Sequence, residues 1–459
     1  MKLIYDVGDK PGFGKTVVFA LQQMLAILAA TTAVPIIVGN GLTPAAAMFG
    51  AGIGTLVYVL FTKRKSPVFL GSSFAFIGSM FAAFAGGISM QLGMLGLIIG
   101  ALMAGLVYVI IAALIKAVGV GWINKLMPPA VIGPTVAIIG LSLAGNAIGD
   151  LKTSNVEANT SPFAAIVCGL ITLATVMLCS TYGKKMMKLV PFVIGILAGY
   201  AAASIMTVIG NAADIDSLKI VDFSVFGSIM MPENKVTLET FLSVPDLVFI
   251  DAFKGFGELT PSYLLTLFVA YVPVAFVVFA EHVADHKNLS SVIGRDLLEE
   301  PGLTRTLLGD GIGSVAGAFF GGCPNTTYGE SIGCVAITRN ASVISIIFAA
   351  CGCILTSFIT PFVALISSVP SCVMGGVCVA LYGFIAVSGL KMLQKVDLDS
   401  NRNLFVASVI FISGIGGFSV SFGKVTLTEV AAALILGILA NLMLSGEKPA
   451  EADDEEIGD

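Results

Sequence analysis

The sequence predicts an all-α protein that crosses a lipid bilayer many times. Hydrophobic residues make up 56% of the 459 residues and charged residues only 12%, and the mean hydropathy is +0.97. A soluble domain needs a polar surface and carries about 25% charged residues. The apolar residues also fall into long runs, and a helix needs ~20 such residues to cross the hydrocarbon core.

Fourteen apolar runs are expected to be membrane segments, of which the third and tenth are the least helix-like. Most of the 24 Lys and Arg residues fall on one side of this arrangement. The positive-inside rule makes that side cytoplasmic, so we expect a multi-pass protein of the cytoplasmic (inner) membrane with both termini inside. The expected segments are 16–38, 44–62, 67–85, 91–115, 128–147, 162–182, 189–209, 262–282, 303–321, 325–338, 341–363, 367–389, 403–421 and 426–445.

Similar motifs recur seven segments apart. Pro128–Gly133 opens the fifth segment and Pro370–Gly375 the twelfth, while Ser72–Phe74 lies in the third and Thr326–Tyr328 in the tenth. Because seven is odd, the two halves must have opposite orientations, so we predict a 7+7 inverted repeat. Transporters with such repeats usually bind their substrate at the repeat interface, near the middle of the membrane.

Segments three and ten are each expected to form a short strand followed by a half-helix. Both begin with residues that form helices poorly. Non-helical backbone survives at membrane depth only where protein or water satisfies its polar groups, so we expect the two strands to pair antiparallel. The half-helices would then point their free N–H groups into the membrane, with the amides of Phe74, Gly329 and Glu330 as donors.

Ionisable residues inside these segments are the strongest candidates for a functional site. Glu281 follows a long uncharged stretch, and Glu330 lies in the break of segment ten. Acids at membrane depth are costly and mark functional sites by default. Asp285, four residues after Glu281, shares its helix face, and we consider it together with Glu281, His282 and His286 for proton coupling. The alternatives are an interfacial position for Glu281, Asp285 and His286, and helix capping by Glu330.

Two carboxylates, backbone N–H donors and the rings of Phe74 and Tyr328 would suit a small planar molecule. Such a molecule would offer N–H groups to the acids, C=O groups to the amides and a π face for stacking. A pyrimidine such as uracil fits each requirement. A titrating acid in the site would give a means of coupling transport to protons.

Other classes of protein fit the sequence poorly. The eight Cys and two His residues form no zinc-binding spacing, so we expect no metal or cofactor. We find no nucleophile–base pair or phosphate loop that would indicate an enzyme, and no basic patch that would bind nucleic acid. Residues 447–459 are polar and acidic, and are expected to be a disordered tail.

At the motifs above, the chain resembles the nucleobase–ascorbate transporter family, also called nucleobase:cation symporter-2, and within it the bacterial uracil permeases. The resemblance runs over nearly the whole chain. Its most specific stretches are Pro324–Gly333, Gly71–Phe76, Ala280–Val283 and Val373–Gly376. Some uracil permeases carry His where this chain has Asp285, which weakens the expectation of a His-based proton relay here.

The resemblance implies a core domain of segments 1–4 and 8–11 (residues 1–126 and 241–365). It also implies a gate domain of segments 5–7 and 12–14 (residues 127–240 and 366–446). Elevator-like movement of core against gate, proton symport and a homodimer follow from the same resemblance.

By motif position, the resemblance makes Glu281 and Glu330 the residues that hold the base. Phe74 and Gly329 would contribute backbone contacts, and Tyr328 and Tyr382 would lie in or beside the pocket.

The leading hypothesis is therefore a proton-coupled uracil importer. A xanthine or purine symporter of the same family is the first alternative. An anion transporter or channel on the same architecture is the second, although two carboxylates in the site oppose it.

Overall fold

The computed structural model describes residues 3–119, 121–157, 159, 161–184, 186–231, 235–422 and 425–445. The acidic tail expected at 447–459 lies outside these residues. Helices account for most of the described chain. Those of the first half are α1 (Phe13–Val38), α2 (Pro44–Phe61), α3 (Ile77–Ala83), α4 (Met90–Val118), α5 (Gly121–Leu126), α6 (Pro129–Ser142), α7 (Ala144–Leu151), α8 (Pro162–Tyr182), α9 (Met186–Leu189), α10 (Pro191–Ala213) and α11 (Ser224–Met230).

The second half contains the longest described helix, α13. Over the whole described chain, four short strands form two pairs. The helices are α12 (Val248–Ala252), α13 (Pro261–Ile293), α14 (Leu303–Gly321), α15 (Gly329–Thr338), α16 (Val343–Thr356), α17 (Thr360–Ser367), α18 (Ser371–Leu393), α19 (Asn401–Ile415) and α20 (Glu429–Met443). The strands are β1 (Leu70–Ser72), β2 (Asn325–Thr327), β3 (Val420–Phe422) and β4 (Val425–Leu427).

Eight helical segments among the described residues are long and apolar enough to cross a membrane. They are α1, α2, α4, the joined α6 and α7, α8, α10, α13 and α18. The other predicted segments coincide with shorter or more polar helices, or with a strand followed by a helix. The protein is therefore a mostly helical, multi-pass membrane protein.

The observed elements differ from the predicted segments in three places. The helix that contains segment eight, α13, continues past 282 to Ile293, and His286 on this extension is buried inside the protein. Segment eleven is divided into α16 and α17, because the backbone between them pairs with another segment: Ser243 N–H donates to the Phe358 carbonyl and Thr360 N–H to the Phe241 carbonyl. Segments thirteen and fourteen are joined by the unpredicted hairpin of β3 and β4.

The strands predicted in segments three and ten are confirmed. β1 and β2 are antiparallel, with Leu70 opposite Thr327 and Ser72 opposite Asn325. Every residue of both strands is buried. Side chains of neighbouring helices satisfy backbone groups that the pairing leaves over: the Thr55 hydroxyl donates to the Leu70 carbonyl at 3.1 Å and accepts the Leu70 N–H at 3.0 Å.

The helices pack in two groups. The first helix group, which consists of α1, α2, α4, α13, α14, α15 and α16, packs mainly on itself and holds both β1 and β2. The second helix group consists of α6, α8, α10, α18, α19 and α20. α13 contacts α6 and α20 across the boundary between the groups.

Glycine permits the close approach of α2, α14 and β2. A Cβ added to Gly317 of α14 would lie 2.3 Å from Cγ of Asn325, and one added to Gly54 of α2 would lie 2.4 Å from its Nδ2. The Asn325 amide donates to the Gly50 carbonyl at 3.1 Å, so this side chain is clamped between the helices. Small residues at helix interfaces in membranes allow this kind of packing.

Gly317→Ala should therefore destabilise the protein, because its methyl group has no space beside Asn325. Overpacking typically costs about 1–3 kcal/mol. All eight cysteines are free and all but Cys351 are buried, so a thiol-reactive dye can follow thermal unfolding in detergent. The matched control is Gly383→Ala in α18, where an added Cβ meets nothing within 4 Å. Equal melting temperatures for the two variants would contradict this packing account.

Candidate substrate cavity

A cavity of about 360 Å³ lies between the two helix groups. Ligand pockets typically measure roughly 300–1,000 Å³, so the space suits one small molecule. The first helix group and its strands contribute one wall, and α6, α10 and α18 contribute the other. The lining residues are Phe74, Ala75, Val136, Ile139, Phe192, Glu281, Ala284, Asp285, Thr326, Tyr328, Gly329, Glu330, Leu381, Phe384, Ile385, Ser388 and Met392.

The two walls differ in polarity. Glu281, Asp285, Thr326 and Glu330 all come from the first helix group and its strands. The opposite wall is made of aliphatic and aromatic side chains, and Ser388 is its one polar side chain among the residues that the structure describes. A bound polar molecule would thus make its hydrogen bonds mainly to one wall, while the opposite wall would offer mainly apolar contact.

The polar wall is built where β2 leads into α15. This helix begins at Gly329, so Gly329 and Glu330 lie in its first turn, where backbone N–H groups have no partner within the helix. The segment is held from behind by the Tyr328 N–H, which donates to the Phe69 carbonyl at 3.2 Å. The Ser331 hydroxyl accepts the Phe69 N–H at 2.9 Å. The positive end of a ten-residue helix therefore faces the cavity.

The helix α13 supplies two carboxylates to this wall. Glu281 and Asp285 both line the cavity, one helical turn apart. The Thr327 hydroxyl donates to Oδ2 of Asp285 at 2.7 Å, which ties the end of β2 to α13.

Phe74 also lines the cavity, in a turn before α3. The sequence had indicated that the Phe74 amide lies in the first turn of a half-helix. Because α3 begins only at Ile77, this amide instead lies ahead of the first helical turn. The ring of Tyr382 packs edge-on against Phe74, with 5.8 Å between the ring centroids. Tyr382 itself is buried and does not line the cavity.

Tyr328 lines the cavity with its ring, but its hydroxyl points elsewhere. That hydroxyl donates to the Ser72 carbonyl at 2.7 Å. The ring lies so close to Gly71 that an added Cβ there would be 2.4 Å from it. Tyr328 thus crosses from β2 to β1 and braces the strand pair.

The two histidines lie behind the polar wall and do not line the cavity. Both are 1% exposed. Nδ1 of His282 is 2.8 Å from Oδ2 of Asp310, a fully buried residue of α14. Nε2 of His286 is 2.6 Å from the Tyr58 hydroxyl. Sequence reasoning missed Asp310, although the argument used for Glu281, an acid within an apolar segment, would have selected it.

Sequence reasoning also missed Phe192, Phe384 and Ser388 on the opposite wall. They stand in uniformly apolar or small-residue runs, and nothing in those runs distinguishes an inward residue from a lipid-facing one.

Two further cavities adjoin the central one, and each shares different lining residues with it. A cavity of about 250 Å³ shares Phe74, Ala75 and Ile139 with it and also contains Asn146 and Glu429. A larger cavity, of about 610 Å³, shares Ala284 and Met392 with the central one and is also lined by Lys287 and Lys395. Phe74, Ala75 and Ile139 therefore lie between the central cavity and the one that contains Glu429.

Solved structures with a similar fold are membrane transporters. The transmembrane domain of a cyanobacterial bicarbonate transporter, BicA, matches with a TM-score of 0.62 and 14% identity, over 93% of this chain and 96% of that one. The murine anion transporter Slc26a9, in an inward-facing state, matches with a TM-score of 0.65 and 10% identity, over 95% of this chain and 69% of that one. At these identities the likeness concerns the fold alone.

Curated relatives are much more similar in sequence. The uracil permease of Bacillus subtilis (strain 168) is 39% identical over 99% of this chain and 98% of its own length. The uracil permease of Bacillus caldolyticus is 38% identical over 98% of this chain and 96% of its length. The uracil permease of Escherichia coli (strain K12) is 35% identical over 99% of this chain and 98% of its length. These relatives are permeases and not enzymes.

The xanthine/uracil permease model, described as "Permease family", matches residues 14–422, which include every part of the cavity. With this match and with relatives at 35–39% identity over nearly the full chain, the protein belongs to this permease family.

Proposed function

We propose that the protein imports uracil across the cytoplasmic membrane by proton symport. The observation that carries the proposal is the cavity, which combines two carboxylates from α13, Glu330 and the start of α15 on a single wall. The relatives named uracil permease, whose lengths match this chain almost completely, support the choice of substrate.

The chemistry of uracil matches that wall group by group. Its ring N–H groups can donate to Glu281 and Glu330, and its carbonyl oxygens can accept from the first N–H groups of α15. The ring of Phe74 offers a face or edge for aromatic contact. In this proposal Gly329 contributes its backbone, because a glycine at the helix start leaves the amide accessible.

The contrast between the walls supports an elevator-like mechanism. We infer that the first helix group belongs to a core domain (1–126 and 241–365) and the second to a gate domain (127–240 and 366–446), within a fourteen-segment inverted repeat. A substrate whose hydrogen bonds all come from the core could travel with it. The apolar gate wall could slide past without breaking directed bonds, since dispersion contacts are non-directional.

The basic residues support an orientation. The larger adjoining cavity leads from Ala284 and Met392 to Lys287 and Lys395, and Lys-rich ends are cytoplasmic by the positive-inside rule. We therefore propose cytoplasmic termini and a state that faces inward, with Phe74 between the substrate and the outer cavity. A homodimer is proposed from the family resemblance alone.

An anion transporter is the second candidate, because the bicarbonate transporter BicA has a similar fold. Against it stands the charge of the cavity. Glu281, Asp285 and Glu330 line the space, and carboxylates would repel a bound anion.

The central test is uptake of radiolabelled uracil into proteoliposomes, with and without an inward proton gradient. We expect gradient-driven accumulation by the unaltered protein. Glu281→Gln and Glu330→Gln should each abolish it. Each substitution replaces a charged acceptor by a neutral amide, and a hydrogen bond to a charged group contributes about 1.5–3 kcal/mol. Glu300→Gln is the matched control, since Glu300 is exposed and pairs with Lys65 far from the cavity.

Uptake that ignores the gradient and survives both cavity substitutions would contradict the proposal. Competition by unlabelled bases then tests the substrate. Uracil should compete best, whereas stronger competition by xanthine would favour the purine or xanthine alternative, and inhibition by bicarbonate would favour the anion alternative.

Tyr328→Phe separates bracing of the strands from contact with substrate. The phenol hydroxyl bonds to Ser72, so its loss should lower the stability to unfolding by about 0.5–1.5 kcal/mol. The dissociation constant for uracil, measured by calorimetry on the purified protein, should stay nearly unchanged because the ring remains. A large loss of affinity with unchanged stability would show that the hydroxyl binds substrate instead.

A further inference from the structure

The larger cavity beside the central one carries positive charge that uracil transport does not use. Lys287 of α13 and Lys395, which follows α18, both line it, and its described lining contains no acid. The central cavity has the opposite character, because Glu281, Asp285 and Glu330 line it and none of its described lining residues is basic. Uracil is neutral, so the two lysines have no charge on the substrate to balance.

The two lysines are exposed, and neither makes a side-chain hydrogen bond or an ion pair with another described residue. Basic residues near the cytoplasmic ends of helices are expected from orientation alone. That rule does not bring them to a common cavity: Lys391, in the last turn of α18, is not among the residues that line it. Orientation therefore does not explain why Lys287 and Lys395 converge on one cavity.

The two cavities adjoin along the same two helices. Ala284 of α13 and Met392 of α18 line both of them. On α13 the lining passes from Glu281 in the central cavity to Lys287 and Asn288 in the larger one. Glu281 and Lys287 are separated by about 9 Å along the helix axis, at ~1.5 Å per residue. One elongated molecule could therefore reach the carboxylates with one end and the lysines with the other.

A pyrimidine nucleoside monophosphate combines the groups that the two cavities require. Its base keeps both carbonyl oxygens and one ring N–H of uracil, and its phosphate carries a charge of about −1.5 to −2 at pH 7. Lysine is a common ligand of phosphate. Asn288 and Ser388 can form hydrogen bonds with the ribose hydroxyls. Because the ribose replaces the other ring N–H, the base has one donor fewer for the carboxylates, and the phosphate must contribute much of the affinity.

The phosphate of an anionic lipid is another source of the same chemistry. Met127, Ile132 and Phe279 also line the larger cavity and could contact an acyl chain. A lipid would, however, leave the carboxylates and the helix start of the central cavity without a partner, whereas the base of a nucleotide would occupy them. The adjoining polar wall therefore favours the nucleotide.

We propose that a pyrimidine nucleoside monophosphate binds across the two cavities and inhibits transport, with its base in the central cavity and its phosphate at Lys287 and Lys395. The inference rests on the proposed function, which makes the central cavity a uracil site and the lysine side cytoplasmic. The ligand is thus the imported base after it has acquired a ribose phosphate.

Inhibition follows from where the two lysines are attached. Lys287 belongs to the first helix group, and Lys395 follows α18 of the second. Uracil makes its hydrogen bonds to one wall and can move with it. The nucleotide is held by both groups, so it fixes them in their present arrangement and is not carried across.

The test uses exchange of labelled for unlabelled uracil in proteoliposomes of phosphatidylcholine, which contain no anionic lipid. Uridine 5′-monophosphate on both faces should inhibit exchange saturably, whereas uridine and inorganic phosphate at the same concentration should inhibit far less. Lys287→Gln and Lys395→Gln should each weaken inhibition by the nucleotide about fivefold to tenfold, because each removes one charge-assisted contact. Each inhibition constant is measured against the same variant's own uninhibited rate.

Lys391→Gln is the matched control, since it removes the same charge from the same end of α18 without touching the cavity. Its inhibition by the nucleotide should equal that of the unaltered protein. Labelled uridine 5′-monophosphate added to one face should not appear in the lumen, and its accumulation there would overturn the claim that the ligand is not carried.

Three further results would overturn the inference. The first is nucleotide inhibition no stronger than that by uridine or by inorganic phosphate. The second is equal inhibition of the Lys287→Gln, Lys395→Gln and Lys391→Gln variants. The third is a change in uracil exchange when phosphatidylglycerol is added to the vesicles that disappears in Lys287→Gln and Lys395→Gln, because a lipid would then be the occupant.

The unaltered protein separates this inference from the proposed function. If it exchanges no uracil, both fail together. If it exchanges uracil and the nucleotide has no effect, only the inference about the larger cavity fails.

Discussion

Pairing of two buried strands, β1 and β2, is the interaction on which the rest of the site depends. Non-helical backbone inside a membrane protein has to find its hydrogen bonds within the protein. Leu70–Ser72 and Asn325–Thr327 do so by pairing with each other, and Thr55 satisfies both backbone groups of Leu70. Without this pair, α15 could not begin in the interior, and its first N–H groups would not face the cavity.

The consequence is a site assembled from one side. The strand pair positions Thr326 and the start of α15, and Thr327 ties them to the carboxylate of Asp285 on α13. The facing wall on α6, α10 and α18 is apolar except for Ser388 among its described residues. We propose that this asymmetry allows the substrate to move with its binding wall.

Much of the fold could be predicted from the sequence. Long apolar runs identify membrane helices because the bilayer sets their length and composition, and α8 and α14 have the bounds expected of them. The strands were predictable because Gly, Pro, Asn and Thr are poor helix formers. The hairpin of β3 and β4 and the break after α16 were not, since each depends on which distant backbone is available for pairing.

The site was only partly predictable, for the same reason. Glu281 and Glu330 stand out because charge at membrane depth is costly, and both line the cavity. The direction of a side chain is a tertiary property. Composition could not tell that the Tyr328 hydroxyl bonds to Ser72, that Tyr382 lies behind Phe74, or that Asp310 meets His282.

A structure of the protein with bound uracil tests the central claim most directly. The account predicts the base between Glu281 and Glu330, with a carbonyl oxygen at the first N–H groups of α15 and apolar contact alone from α18. Uracil bound beyond Phe74 beside Glu429, or in the cavity near Lys287 and Lys395, would contradict it.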